Sequence, residues 1–181
     1  MLAVTAYDFI RKELKNYNGN YLETGVFDGS GIASLAKEYP EKMFYGIDPF
    51  IDDGNTTFQT GSLRGEAIPT IREKAIEAIS KFENIKLFEC KSVDFKIQPE
   101  LNISFVLIDG DHSFIHATID SIIAMELIGE KDGFIIFDDY QVPEVQKAVS
   151  LFKKLYKHRI EETNFHFGFK IKKHEYIYYW S

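Results

Sequence analysis

The sequence predicts an α/β fold: a mostly parallel sheet with helices on both faces and an antiparallel hairpin at its C-terminal end. Two observations predict it. Short apolar runs such as SFVLI and FIIF alternate with segments whose apolar residues recur every three or four positions. That is the pattern of buried parallel strands between amphipathic helices. Near the C-terminus the period shortens to two in NFHFGFKI, the mark of a sheet with one solvated face.

Tyr7, Ile10, Leu14 and Tyr17 open the chain with an amphipathic helix, closed by Asn18, Gly19 and Asn20. A strand, NYLETGV, leads into the glycine-bearing turn FDGSG. Ser30 is placed to cap the next helix, which turns Ile32, Leu35 and Ala36 inward. The second strand, MFYGID, stops at Asp48-Pro49, because proline holds the residue before it extended. The polar stretch 50–66 comes next, long enough to act as a lid, with Phe58 and Arg64 as contacts; a plain surface loop explains it equally well. Ile68, Ile71, Ala75, Ile79 and Phe82 then mark a helix, IKLFE a third strand and SFVLID a fourth. Ile115, Ile119 and Ile122 mark the next helix, FIIFDD the fifth strand, and Val145, Ala148, Val149 and Phe152 one more helix. NFHFGFKI and EYIYYW, joined through KKHE, complete the expected hairpin.

At 181 residues the chain fits one domain, 1–181, with a core of ordinary apolar content at 45%. Its net charge of −7 disfavours the phosphate attraction on which nucleic-acid binding rests. No run approaches the ~18 apolar residues of a membrane span, and the N-terminus lacks the features of a signal peptide. The lone Cys90 excludes an internal disulfide and follows an apolar strand, so it reads as a small buried hydrophobe. The expected setting is the cytoplasm, and the expected partner a small molecule rather than nucleic acid or membrane; a homo-oligomer is compatible with all of this.

The strand ends carry the chemistry. The first reaches Glu23, the second Asp48, the third Glu89, the fourth Asp109 and the fifth Asp138 with Asp139. In an open α/β sheet ligands bind at the carboxyl ends of the strands, near the point where strand order reverses. One acid there is an ordinary exit from the core; five ring an edge suited to a ligand that donates hydrogen bonds or carries positive charge. Gly25, Gly29 and Gly31 let backbone approach a ligand but do not form the GxGxxG fingerprint, and no phosphate-loop lysine accompanies them. Glu23 would repel a pyrophosphate and suits an amine, while Asp48 is placed to accept from ribose hydroxyls. A ligand with a ribose, a positive amine and no phosphate is S-adenosylmethionine.

The ordered motifs ETGVFDGSG, YGIDPF, IDGDHSF and GFIIFDDY resemble those of class I S-adenosylmethionine-dependent methyltransferases. More narrowly they resemble the small-molecule group that contains macrolide-sugar and aminocoumarin-sugar O-methyltransferases. The resemblance runs from about Tyr21 to Val149 and implies a Rossmann-like, seven-stranded methyltransferase sheet. It implies that Glu23 and Gly25 line the methionine part of the cofactor, with Ser30 near its carboxylate and Gly29 also in the cofactor site. Asp48 would hold the ribose, Ser92 would lie near the adenine, and Asp109 would border the cofactor. It further implies Mg²⁺ held by Asp109, Asp138 and Asp139, oxygen ligands that suit a hard cation. The acceptor hydroxyl needs a base, which falls to His112 or Asp111; His112 has the more suitable ordinary pKa, about 6.5.

Simpler readings stand beside these. Asp138-Asp139 alone would be a solvated turn, and both acids converge only if the chain turns there, since successive strand residues face opposite ways. His112 and His116 have a zinc-like spacing without a third nitrogen or sulfur ligand nearby. His158, His166 and His174 read as surface residues. Two other functions fit the same motifs: a metal-free methyltransferase on another acceptor, and a non-catalytic protein that binds S-adenosylmethionine or another nucleoside.

Overall fold

The computed structural model of the chain describes residues 6–51, 68–163 and 168–173. Within them run strands β1 (Asn20–Thr24), β2 (Phe44–Ile47), β3 (Ile85–Phe88), β4 (Ile103–Ile108), β5 (Gly133–Phe137), β6 (Ile160–Glu162) and β7 (Gly168–Ile171). The helices are α1 (Ala6–Glu13), α2 (Ser30–Glu38), α3 (Ile68–Ile79), α4 (Phe114–Ile128) and α5 (Pro143–Leu155). The strands form one sheet in the order β3-β2-β1-β4-β5-β7-β6. The first five pair in parallel and β7 runs antiparallel to both neighbours. Chain order reverses between β1 and β4, which opens a crevice over their carboxyl ends.

The alternation of side chains along β1 sorts the core into two layers. Tyr21 faces α1, α2 and α3, where it packs with Ile10, Ile32, Phe44, Phe105 and Phe134. Leu22 faces α4 and α5, where it joins Val106, Ile135, Ile123, Val149 and Phe152. The rings of Phe105 and Phe134 stack across neighbouring strands with centroids 5.0 Å apart. Much of the aromatic content is thereby absorbed in the core. Cys90 packs at the edge of the second layer, half-buried, and burial pushes its thiol up, away from the thiolate.

Three expectations change. The hairpin partner of β7 is β6, Ile160–Glu162, rather than EYIYYW. A three-residue edge strand bearing two exposed glutamates carries no apolar alternation to betray it, and charge on an edge is what keeps it from pairing further. Phe165, Phe167 and EYIYYW lie outside the described residues, as do Phe58, Arg64, His166 and His174. Ser30 does not cap α2: Gly29 holds that place, and Asp28 Oδ1 accepts from both the Ser30 N–H and the Ser30 hydroxyl. Ile115 is 64% exposed and Ile122 39%, while Ala117, Ser121, Ala124 and Ile128 turn inward. That helix is apolar on every side, so periodicity does not choose its buried face; packing on the sheet does.

Candidate functional site

The turn after β1 is fixed by the segments that leave β2 and β4. Gly25 takes φ +82°, and a methyl group there would overlap the carbonyl oxygen of Asp109. Only glycine combines that conformation with that approach. Asp48 reaches across from the end of β2: its Oδ2 accepts the N–H groups of Val26 (2.8 Å) and Phe27 (3.0 Å), and its Oδ1 that of Phe50 (2.8 Å). Phe27 and Phe50 both lie in the left-handed region, at φ +54° and +48°. Such values are outliers for bulky residues and mark a backbone held by its surroundings. Burial pushes the Asp48 carboxyl up and the three N–H bonds pull it back. Asp48 therefore organises the turn, with lone pairs left over on Oδ1 alone.

Glu23 points to the α1 side of the sheet and is 1% exposed. Tyr7 of α1 donates to its Oε1 (2.9 Å) and Tyr21 to its Oε2 (2.8 Å). Burial dominates over these two bonds and pushes its carboxyl up to about 8. Glu23 is close enough to Asp48 and Asp138 for their charges to add to the shift. Ser30 stands exposed at the start of α2, with its hydroxyl turned to Asp28 (2.6 Å).

Across the crevice, the ends of β4 and β5 bring Asp109, His112 and Asp139 together. One donor atom of each lies within 4.8 Å of the others, an arrangement that can hold a metal ion. His112 Nε2 is 2.7 Å from Asp139 Oδ2 and 3.9 Å from Asp109 Oδ1. Asp139 sits at φ +48°, so the chain does turn directly after the strand. Asp138 uses its Oδ1 to accept the Asp139 N–H (2.9 Å), which fixes the turn. The expected set of three acids is thus drawn in part: Asp109 and Asp139 meet, and His112 takes the third corner. Burial, then the charges of Asp138, Glu23 and Asp139, hold Asp109 well above the usual carboxylate range. Burial raises Asp138 as well. A site whose acids resist ionisation together is one that a cation would relieve.

Asp111 faces away from this group. Its Oδ1 accepts the Ser113 N–H (2.7 Å) and its Oδ2 lies 3.4 Å from His116 Nδ1. Ser113 caps α4 and meets the same His116 nitrogen at 2.8 Å, so His116 belongs to the cap rather than to a zinc site. Glu89 leaves the crevice, paired with Arg72 at 2.6 Å on the exposed surface. Ser92 lies just past β3, half-buried, in a short helical turn. The sequence offered no sign of Tyr7, Gln141 or Asp120. Gln141 donates through Nε2 to Asp139 Oδ1, and Asp120, buried on α4, accepts from Thr24. Contacts across 16 and 96 positions leave no local pattern to find.

No family model matches the chain. An uncharacterized protein of Acanthamoeba polyphaga mimivirus is 29% identical over 136 residues, which cover 72% of this chain and 57% of that protein. The chain thus spans little more than half the length of that relative. Among solved structures, the O-methyltransferase NovP superposes with a TM-score of 0.68 at 15% identity, covering 93% of this chain and 78% of NovP. CalS11, a TDP-rhamnose 3'-O-methyltransferase of calicheamicin biosynthesis, gives 0.61 at 12% identity, covering 92% and 77%. A fibrillarin/Nop5p complex gives 0.54 at 12% identity over 90% and 79%. At these identities the likeness establishes the fold: a Rossmann-like methyltransferase sheet of seven strands, mostly parallel, with its antiparallel strand near the C-terminus.

Proposed function

We propose that the chain is an S-adenosylmethionine-dependent methyltransferase that methylates a hydroxyl oxygen on a small acceptor, a sugar or another polyhydroxy or phenolic compound, with Mg²⁺ at the strand edge. One observation carries this reading. On the ligand edge of a methyltransferase-type sheet, Glu23 and Asp48 flank the turn after β1, while Asp109, His112 and Asp139 converge across the crevice. The sugar class is supported by the TDP-rhamnose methyltransferase among the structural neighbours.

In this reading Glu23 meets the amine of the cofactor, Gly25, Gly29 and Ser30 border its methionine part, Asp48 Oδ1 takes a ribose hydroxyl, and Ser92 lies by the adenine. Methyl transfer from a sulfonium is an in-line displacement, and the cofactor supplies the reactive group. The chain's task is to place the acceptor oxygen and remove its proton. Asp109 and Asp139 would hold the cation, with His112 or Asp138 beside them. When bound, it supplies electrostatic stabilisation to the oxyanion that develops on the acceptor. The proton acceptor in this reading is His112, whose Nε2 lies 2.7 Å from Asp139 Oδ2, or Asp111, whose oxygens meet the Ser113 N–H and His116.

A metal-free methyltransferase is the second reading. It is favoured by the internal contacts of Asp139, which meets His112 through one oxygen and Gln141 through the other. Calorimetric titration with S-adenosylhomocysteine tests the common premise, and an absence of binding removes both readings. Asp139→Asn separates them. Asparagine tolerates the left-handed conformation, so the turn should persist while the negative charge is lost. On the metal reading Mg²⁺ affinity falls at least about tenfold and cofactor affinity stays within about threefold, less than the 1.4 kcal/mol of a tenfold change. A parallel loss of both contradicts the role given to Asp139.

A further inference from the structure

The registers of the last three strands bring three chain segments together at the amino-terminal edge of the sheet. Ile171 of β7 lies beside Gly133 of β5 on one side and Ile160 of β6 on the other. The residues just outside those positions are 131–132, 157–159 and 172–173, and five of the seven are lysine or arginine. Asp132 is the single acid among them, and its Oδ1 accepts the Lys173 N–H at 2.8 Å. Roughly 17 Å of β5 separates this edge from the acids of the crevice. The net charge of −7 therefore conceals two ends of opposite sign.

Arg159 fixes the arrangement. Its Nε and Nη2 donate to the carbonyl oxygen of Lys172 at 3.2 and 3.1 Å, and Nη2 also reaches that of Lys131 at 3.4 Å. The Arg159 carbonyl in turn accepts the Lys172 N–H at 2.7 Å. The guanidinium is thus held by neutral main chain, and its Nη1 keeps two N–H donors without a partner among the described residues. The two glutamates of β6 are already engaged: Glu162 pairs with Lys153 at 2.7 Å and Glu161 with Lys172 at 3.1 Å. Lys131 meets the neutral side chain of Asn102 at 2.8 Å. Among the described residues no carboxylate pairs with Lys157, Arg159 or Lys173.

Like charges gathered without a counter-ion repel one another, and an anion relieves them. A guanidinium fixed along one side offers its remaining N–H groups in a plane, which suits the oxygens of a phosphate. A doubly charged group also gains most from several ammonium neighbours. We propose that this edge is a phosphate-binding site: Arg159 donates to the phosphate oxygens, and Lys131, Lys157 and Lys173 surround the charge. The site lies apart from the crevice and stands whether or not the methyltransferase reading holds.

Pyrophosphate tests it, titrated calorimetrically into the full chain at about 0.15 M salt, with a chelator present so that no cation bridges it to the crevice. Binding is expected, with changes in backbone amide NMR shifts confined to residues 131–133, 157–160 and 171–173. Arg159→Lys keeps the charge and loses the planar fork, and should weaken binding at least about tenfold. Lys157→Gln and Lys173→Gln lie at exposed positions where folding is not at stake. Each should weaken binding about threefold, the size of one exposed ion pair, and they decide the matter if Arg159→Lys does not fold. A short single-stranded oligonucleotide identifies the source of the phosphate. Binding through the same amides, at least about tenfold tighter than pyrophosphate, assigns the site to a nucleic-acid chain; anything weaker assigns it to a free phosphate compound. No binding of either probe to the unaltered protein overturns the inference, as do shift changes confined to other residues. So does a folded Arg159→Lys that binds like the unaltered protein, since diffuse attraction alone would then account for the binding.

Discussion

Glu23 shows how one carboxyl can be held by two bonds and still resist ionisation. Both its oxygens accept from tyrosines, yet burial outweighs them and its pKa rises to about 8. An ordinary glutamate titrates near ~4.3, so between those values the folded state binds more protons than the unfolded one. Stability attributable to Glu23 is therefore full below the ordinary carboxyl range and is lost as pH rises towards 8. Glu23→Gln should flatten the fall in melting temperature between pH 5 and pH 8; an equally steep fall in the variant would show that another group titrates. The sequence identified Glu23 as a strand-end acid suited to an amine. It held no hint of Tyr7, whose hydroxyl arrives from a separate helix. An amine that reaches Glu23 must displace or join that hydroxyl, which only the packing of α1 brings into view.

The turns that end β1, β2 and β5 were legible to different degrees, for a common reason. Glycine spacing located the first, and its cause is a close approach between two segments: Gly25 lies against the Asp109 carbonyl. Gly25→Ala combines a disfavoured φ with that overlap, and should cost at least about 3 kcal/mol, read as a lower denaturation midpoint at unchanged slope. A cost below about 1 kcal/mol would mean that the turn relaxes freely. The end of β5 required a turn for its two acids to converge, and Asp139 at φ +48° supplies it. The turn then commits Asp138 to its own backbone and brings His112 to the third corner. Helix α5 places all four predicted apolar residues inside, because its polar face is distinct. Helix α4 has no such face, so its exposed Ile115 and Ile122 could not be told from core residues.

Across the molecule, acids gather on one edge of the sheet while the layers on either side of it are mainly apolar, with Asp120 the buried carboxyl within them. Asp109 is raised by burial and by Asp138, Glu23 and Asp139 together, so the edge carries more negative charge than it readily ionises. A divalent cation that binds only the folded state stabilises it by mass action, about 2.7 kcal/mol at a hundred times its dissociation constant. Millimolar Mg²⁺ should raise the melting temperature, chelation should reverse the rise, and Asp139→Asn should abolish it. A melting temperature that ignores Mg²⁺ would favour the metal-free reading. Among the described residues no helix is long and apolar enough to cross a membrane.

The sequence by itself determined the succession of strands and helices as far as α5, the placing of acids at strand ends and the glycine-bearing turn, because hydrophobic period and turn chemistry are local properties; β6, a short charged edge strand, was not among them. Only the tertiary structure decided which acids meet, that Asp48 holds backbone as well as facing the crevice, that Glu89 pairs with Arg72, and that Asp120 lies under Gly110. Those outcomes depend on contacts between segments far apart in the chain, and a carboxyl's partner and burial, unlike its identity, are set by the fold that surrounds it.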